Sequence, residues 1–454
     1  MHSTKADAPA FSAQLYAVAC FLAALGAAQF LDRLTNTLLM LSTFLLVVIC
    51  RFACRYMQGD PGRTRFLFWL CFTATCVFVL VLAQNLLLFA LAWCSISLGL
   101  HQLLQFYRHR PGARLAARKK FLISRLGDMC MLAALALTYR AFGTWNFPEM
   151  FAAAAKSDSP ERTWIALFLT SAALLKSAQF PFHSWLPDTM ETPTPVSALM
   201  HAGIINGGGI LVIRLMPLVS LSPAAMWTLC AVGSFTALFA SIIMLTQASV
   251  KRRLAFSTIA QMGFMLLECG LGAVHLALLH IVAHSLYKAH AFLASGGAVA
   301  QEPRRDAKSF PPWRYAGGLA ASVAILYFTA FMTGTSLQAQ PALTVVLFVA
   351  LAELAWSSRY GWVAGLLLSA VYFQLEHAAV WIATPLHRET AWLAPPLLLV
   401  FLALAIAQAN QHTWSQTEFA RGLYVHARNG FYLNTLANRF TMAMWPLQSQ
   451  KEQS

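Results

Sequence analysis

The sequence predicts an all-α, polytopic membrane protein, and three observations support this fold class. Of the 454 residues, 58% are hydrophobic and only 11% are charged, whereas soluble domains carry about 25% charged residues. Long apolar runs recur along the chain. The basic residues collect in the short segments between these runs. A water-soluble fold is therefore excluded.

The apolar runs predict the number of helices. Because one crossing takes about 20 apolar residues, we expect a transmembrane helix bundle of about 13–14 helices over residues 1–409, followed by an amphipathic tail over 410–454. No basic region precedes the first run, so we interpret it as a retained helix and not as a signal peptide. Cut at charges, prolines and glycines, the runs lie at about 11–31, 34–57, 66–83, 86–107, 119–140, 162–180, 193–219, 224–248, 253–272, 273–300, 316–336, 341–357, 360–383 and 392–409.

The net charge of +15 indicates topology and not nucleic-acid binding. Four basic clusters, at 51–65, 108–120, 251–253 and 304–314, are separated by two, four and two predicted helices, which places all of them on one side of the membrane. By the positive-inside bias that side is the cytoplasm, together with the N-terminus and the tail. The nine cysteines are scattered without a CxxC pair, so neither a disulfide framework nor a zinc site is predicted.

Lys176 lies near the end of an apolar run. A charged side chain at bilayer depth needs a partner, a wet cavity or a route to the interface. A lysine held in apolar surroundings can take up and release protons. Snorkelling of its ammonium group to the interface is the alternative.

His280, His284 and Lys288 recur every four residues and therefore lie on one stripe of a helix. Histidine titrates near neutral pH, which suits a proton relay. A zinc site is disfavoured because no acidic or cysteine ligand shares the stripe.

His201 lies between two prolines and three consecutive glycines, Gly207 to Gly209. Interrupted helices at membrane depth usually line cavities. Close helix packing through the small residues is the competing explanation.

Arg125 and Asp128 are spaced for an intrahelical ion pair, with Asp128 as a candidate charge partner for a lysine. Glu353 and Glu376 are two further intramembrane acids, and we take them as candidate pathway carboxylates. The tail over 410–454 mixes aromatic and basic residues, which favours either an interfacial helix or docking to a soluble partner.

The same segments resemble the antiporter-like subunits of respiratory complex I and the Mrp antiporters, in the branch that contains NuoL. The most specific stretch is KSAQFPFHSWLPDTMETPTPVSALMH at 176–201, supported by SRLGD at 124–128 and VKRRLAFSTIAQMG at 250–263. The resemblance covers about 66–300 and implies a proton-conducting core there, with a broken helix and a candidate inverted repeat. It also implies that Lys176, Lys251 and Lys288 belong to a polar axis with His201, His280 and His284 as relay residues. Lys251 also fits a topology cluster.

Two departures from this family stand out. The family carries a glutamate directly after the tryptophan at position 93, where this chain has Cys94. No lysine occurs between Lys308 and Lys451, so the family's second broken-helix lysine is absent.

The chain also resembles the membrane subunit of the DAB inorganic-carbon accumulation complexes (DabB-like). This resemblance rests on the short second half and on the stretches YKAHAFLASGG at 287–297 and GLYVHARNGFY at 422–432. That resemblance implies a bacterial inner-membrane chain with a large, soluble, zinc-containing partner (DabA-like) that resembles a β-carbonic anhydrase. Zinc and chemistry are then expected in the partner, and this chain is expected to be no enzyme and to hold neither cofactor nor metal. Two alternatives remain, a complex I or Mrp-type transport subunit and a non-conducting membrane anchor.

Overall fold

A computed structural model describes residues 3–295, 312–337, 340–357, 360–386, 394–409 and 417–446. The described residues are helical apart from short connections and one isolated bridge between Asn85 and Asn146. The predicted all-α class is confirmed. The helices are α1 (Ser3–Ala27), α2 (Arg33–Tyr56), α3 (Arg63–Leu82), α4 (Leu86–Leu104), α5 (Pro111–Phe142), α6 (Phe147–Lys156), α7 (Pro160–Lys176), α8 (Trp185–Asp188), α9 (Thr194–Ala202), α10 (Gly207–Arg214), α11 (Met216–Val219), α12 (Pro223–Thr246), α13 (Val250–Gly270), α14 (Val274–Ala294), α15 (Pro312–Thr333), α16 (Pro341–Ser357), α17 (Gly361–Ile382), α18 (Ala394–Ala409), α19 (Glu418–Arg428) and α20 (Leu433–Met444).

Each of the predicted apolar runs coincides with one of these helices or, for 193–219, with the series α9 to α11. Ten segments of the described chain are long and apolar enough to cross a membrane, and α16 and α18 are shorter apolar helices. The two other runs form α7, which has 17 residues, and α13, which begins with three basic residues close to its N-terminus. The chain is therefore a multi-pass membrane protein.

Local sequence sets several helix boundaries. The Asp32 carboxylate accepts a hydrogen bond from the backbone N–H of Thr35 at 3.0 Å, and the Asn85 side chain accepts one from Leu87 at 2.8 Å. Both satisfy amide groups that lack a partner in the first turn of a helix. Helix α5 ends at Phe142, and the chain leaves it through Gly143, whose φ of +69° favours glycine.

The chain divides into two compact units. Unit 1 comprises residues 3–270, 280–295 and 432–446, and unit 2 comprises 271–279 and the described residues of 312–431. Helix α14 contributes its first residues to unit 2 and the rest to unit 1. The polar residues singled out in the sequence fall in unit 1, apart from Glu353 and Glu376.

Two loops with basic flanks meet at one end of unit 1. Tyr107 donates from its hydroxyl group to Asp60 at 3.5 Å, and Arg65 donates to the carbonyl oxygen of Phe106 at 3.3 Å. These contacts place the α2–α3 and α4–α5 connections side by side, as the alternation of helices predicts. The segment between the predicted runs 119–140 and 162–180 contains the short helix α6.

The last described helix, α20, packs against α5 in unit 1. Asn434 on α20 donates to Asp188 at 3.0 Å and accepts from Lys119 at 2.5 Å. Lys119 also donates to Asp188 at 2.6 Å, and its side chain is almost fully buried. Part of the tail is thus held by the chain's own core, a contact that composition did not predict. Residues 410–416 and 447–454 of the tail lie outside the described residues.

Candidate polar axis

Lys176 is the last residue of α7, and the segment that follows it, up to α9, is largely buried. Its ammonium group donates to the carbonyl oxygen of Trp93 at 3.2 Å and to the hydroxyl oxygen of Ser97 at 3.0 Å. The same nitrogen lies 4.3 Å from the centroid of the Trp93 ring. Lys176 therefore points into the protein towards α4, and its described contacts are with neutral groups.

A second lysine reaches the same serine. Lys120 on α5 is 4% exposed and donates from Nζ to the backbone carbonyl oxygen of Ser97 at 2.8 Å. Lys120 and Lys176 line one small cavity together with Ser97 and Trp185. Sequence reasoning missed Lys120 because it assigned the residue to a basic topology cluster. The available signal was its position inside the predicted run 119–140.

Asp128 is buried on α5, with Oδ2 2.5 Å from Nη2 of Arg125. It lies within electrostatic range of Lys176 and beside Cys94, the position at which the family resemblance implies a glutamate. In the described residues no ion pair joins Asp128 to Lys176. The nearest carboxylate thus acts on the lysine through space and is already neutralised by Arg125.

His201 lies at the interruption between α9 and α10. The helix breaks at Gly203, whose φ and ψ of −123° and −71° are not helical. Gly207 to Gly209 are themselves helical and tightly packed, since a methyl group on Gly208 would overlap the carbonyl oxygen of Ala173 and the hydroxyl of Ser177. The helix is therefore interrupted at Gly203, whereas the close packing through small residues is at Gly207 to Gly209.

The His201 imidazole is fully buried and stacks on Phe292, with ring centroids 4.2 Å apart. Its Nδ1 is 3.1 Å from the hydroxyl of Thr258, and its Nε2 makes no hydrogen bond among the described residues. The Thr258 hydroxyl also donates to the carbonyl oxygen of Leu254 at 3.0 Å. Lys288 donates to that same carbonyl oxygen at 3.3 Å and to the Ser257 hydroxyl at 2.8 Å. His201 and Lys288 are thereby joined through groups of α13.

His284 contacts both α9 and α13. Its Nε2 is 3.2 Å from the backbone carbonyl oxygen of His201, and its Nδ1 is 2.7 Å from the amide oxygen of Gln261. A carbonyl oxygen only accepts, so Nε2 carries a hydrogen. The Gln261 amide can present either its oxygen or, after rotation, its NH2 group. Both the neutral and the protonated imidazole can therefore be accommodated.

His280 contacts Glu268, a buried carboxylate that was not predicted from the sequence. Its ring centroid is 6.0 Å from that of His284, and its Nδ1 is 3.2 Å from Oε2 of Glu268. Glu268 is 5% exposed and comes from α13, across the hairpin that joins α13 to α14. The four-residue spacing relates residues of one helical stripe only. The signal available for Glu268 was its position as an acid inside the predicted run 253–272.

The other predicted residues lie apart from these contacts. Lys251, near the start of α13, donates to the Thr194 hydroxyl at 3.4 Å, at the first turn of α9. In unit 2, Glu353 is half-buried on α16. Glu376 on α17 lies 3.7 Å from Nε2 of His275, measured to Oε1.

These contacts form two polar clusters in unit 1. The lysine cluster contains Lys120 and Lys176 around Ser97. The histidine cluster contains His201, His280, His284 and Lys288. It also includes the side chains that contact them, which are Ser257, Thr258, Gln261 and Glu268. Ile204, one residue past the break after His201, lines the cavity of the lysine cluster. Neutral acceptors stabilise an ammonium group less than a carboxylate does, so lysines held in this way can exchange protons at a lower free-energy cost.

Among the described residues, no three histidine, cysteine or acidic side chains are grouped to hold a metal ion.

Two protein-family models match this chain. Residues 83–374 match the family model described as NADH:quinone oxidoreductase/Mrp antiporter, TM, and residues 24–67 match that of the complex I chain 5 N-terminus. The similarity thus extends beyond 66–300 in both directions.

Two curated relatives and one solved structure illustrate this similarity. The chain is 37% identical to the probable inorganic carbon transporter subunit DabB of Hydrogenovibrio crunogenus, over 91% of this chain and 83% of the relative. It is 38% identical to DabB2 of Halothiobacillus neapolitanus, which bears the same description, over 91% and 80%. A chain of the Mrp complex from Dietzia sp. superposes with a TM-score of 0.58 at 25% identity, over 93% of this chain and 51% of that chain.

Proposed function

Because the chain belongs to the NADH:quinone oxidoreductase/Mrp antiporter membrane family, we propose that it conducts protons and that this flux energises inorganic-carbon accumulation by a soluble partner. The observation that carries the proposal is the pair of polar clusters in unit 1, which the broken helix α9–α10 separates. Buried ionisable residues in membrane helices typically mark ion pathways.

The proposed route begins at the lysine cluster. A proton enters through the cavity beside Lys120 and binds Lys176. It crosses the interruption at Gly203 to His201 and then moves towards Lys288 and His284. Because Thr258 and Lys288 both donate to the Leu254 carbonyl oxygen, which only accepts, a bridging water must carry the proton past this point. Hydrogen bonds connect His201 to Thr258, and Thr258 and Lys288 to the Leu254 carbonyl oxygen, whereas Lys176 is related to the break through Ile204, which lines the same cavity.

Glu268 has a defined role in this proposal. It provides the carboxylate of the histidine cluster, with Oε2 3.2 Å from Nδ1 of His280. The carboxylate that is missing at Cys94 would thus be replaced at a different point of the pathway, on α13 instead of α4.

The cargo and the partner rest on the relatives' names, which describe subunits of a probable inorganic carbon transporter. We propose that the partner is a large, soluble, zinc-containing, carbonic-anhydrase-like protein, and that hydration of CO2 to bicarbonate takes place there. The membrane chain then lies in a bacterial inner membrane with its N-terminus and tail in the cytoplasm, where the tail can reach the partner.

Bicarbonate uptake by cells that express the chain with its partner tests the proposal. Lys176→Ala and Lys288→Ala should each abolish uptake while the partner still co-purifies. Lys156→Ala, at an exposed lysine that ends α6, is the matched control and should leave uptake unchanged. Intact uptake in both core variants would refute proton conduction by this route.

The same cells separate the alternatives. A non-conducting anchor predicts that an uncoupler leaves uptake untouched. A complex I or Mrp-type subunit predicts co-purification with several membrane subunits instead of one large soluble protein.

A further inference from the structure

Unit 2 contains a polar pocket that is separate from the two clusters in unit 1. It is lined by hydroxyl and amide groups of Thr335, Ser336, Gln340 and Thr344 and by the carboxylate of Glu376 on α17. Gly334, with a φ of +70°, ends α15 and begins the non-helical segment that forms one wall. The hydroxyl and amide groups of this lining can form hydrogen bonds with water. Glu376 therefore faces a site where water can enter.

The partner of Glu376 is His275, near the start of α14. Nε2 of His275 and Oε1 of Glu376 are 3.7 Å apart, and their side chains are 2% and 16% exposed. The other ring nitrogen of His275, Nδ1, is buried without a hydrogen bond among the described residues. Buried polar groups are usually satisfied, so an imidazole left in this state points to a functional reason for its position.

We infer that His275 and Glu376 form a proton-exchange site in unit 2, open to the pocket between α15 and α16. A proton on the carboxylic acid of Glu376 transfers to Nε2 of His275, which leaves a carboxylate and an imidazolium, and the reverse transfer restores the neutral pair. The net charge of the pair is zero in both states, so the transfer adds no unpaired charge to a buried site. Since 3.7 Å exceeds a hydrogen bond, a bridging water or a small side-chain rotation must complete the contact.

The imidazole of His275 favours a proton as the ligand of Glu376, whereas the oxygen groups of the pocket suit a hard cation, so the test below includes Na+. Among the residues that line the pocket, Tyr372 is the other titratable side chain. An imidazole nitrogen accepts protons well, whereas hard cations prefer oxygen ligands. The role of the pair in transport rests on the proposed function, but its proton exchange can be measured without any flux.

Carbodiimide labelling of the full-length chain in membranes gives that measurement. Dicyclohexylcarbodiimide modifies protonated carboxylic acids in apolar surroundings, and peptide mass spectrometry identifies the modified residue. We expect Glu376 to be modified faster as the pH falls and at the same rate with or without Na+. His275→Asn removes the proton acceptor and should extend modification to higher pH. His377→Asn, at an exposed neighbour on the same helix, should leave the pH dependence unchanged.

Proton flux in vesicles that contain the chain and its partner provides the second arm. Glu376→Gln should lower flux by roughly tenfold or more, and His377→Asn should not. Absence of labelling at Glu376, protection by Na+, or wild-type flux in Glu376→Gln would each overturn the inference. A wild-type chain that conducts no protons would refute the proposed function, while the labelling would still decide whether His275 and Glu376 exchange a proton.

Discussion

Oε2 of Glu268 lies 3.2 Å from Nδ1 of His280, and the two residues come from adjacent helices joined by a tight hairpin. The pair is largely buried, with side-chain exposures of 7% for Glu268 and 15% for His280. It brings a carboxylate to the end of the histidine stripe in a chain that has Cys94 where the family resemblance implies a glutamate.

Replacing this carboxylate should weaken conduction. In Glu268→Gln the side chain keeps its size but loses the carboxylate beside Nδ1 of His280, and a hydrogen bond to a charged group contributes about 1.5–3 kcal/mol. Proton flux into vesicles should therefore fall by about tenfold or more. Glu149→Gln, at an exposed acid on α6, is the control. Equal flux in the wild type and Glu268→Gln would remove Glu268 from the pathway.

A glutamate at position 94 should change the behaviour of Lys176. Cys94 directly follows Trp93, whose carbonyl oxygen accepts a hydrogen bond from the Lys176 ammonium group. In Cys94→Glu a carboxylate at this position stabilises the charged lysine and slows release of its proton. We expect a several-fold lower flux at unchanged expression.

Cys94→Gln separates charge from size in that experiment. Its side chain resembles glutamate in volume but has no charge. A loss of flux that is the same in both variants would mean that crowding at α4, and not a new ion pair, is responsible.

The packing of the glycine segment can be tested by stability. A methyl group on Gly208 would overlap Ala173 of α7 and Ser177, which directly follows that helix, whereas one on Gly26 meets nothing within 4 Å. Gly208→Ala should therefore lower the free energy of unfolding by about 1–3 kcal/mol, measured as a fall in the melting temperature in detergent. Gly26→Ala should melt like the wild type, and a similar result for Gly208→Ala would contradict close packing there.

The contact of α20 with the core should also contribute to stability. Asn434→Ala removes two hydrogen bonds, to Lys119 and to Asp188, and leaves a buried ion pair less well satisfied. The expected destabilisation is about 1–3 kcal/mol. Asn429→Ala, whose side chain bonds to Val425 within α19, is the matched control. Identical melting of the two variants would show that α20 adds nothing to the stability of α5.

The architecture could be predicted because the bilayer demands apolar runs of nearly fixed length, and each predicted run became a helix or a broken series of helices. The polar partners were harder to predict. Lys120 was assigned to the membrane surface since it lies beside basic residues, but the length of α5, which has 32 residues, carries it inside. Glu268 required the α13–α14 hairpin, which brings together residues that a single helical stripe cannot relate.

The contact between Asn434 and Asp188 also constrains the order in which the protein matures. These two residues are separated by 246 positions in the chain, so at ordinary rates of translation the amide emerges from the ribosome on the order of tens of seconds after the carboxylate. The helices that hold Lys119 and Asp188 can enter the bilayer during that interval. Nascent chains therefore contain a core that is already inserted while its Lys119–Asp188 pair still lacks the Asn434 amide.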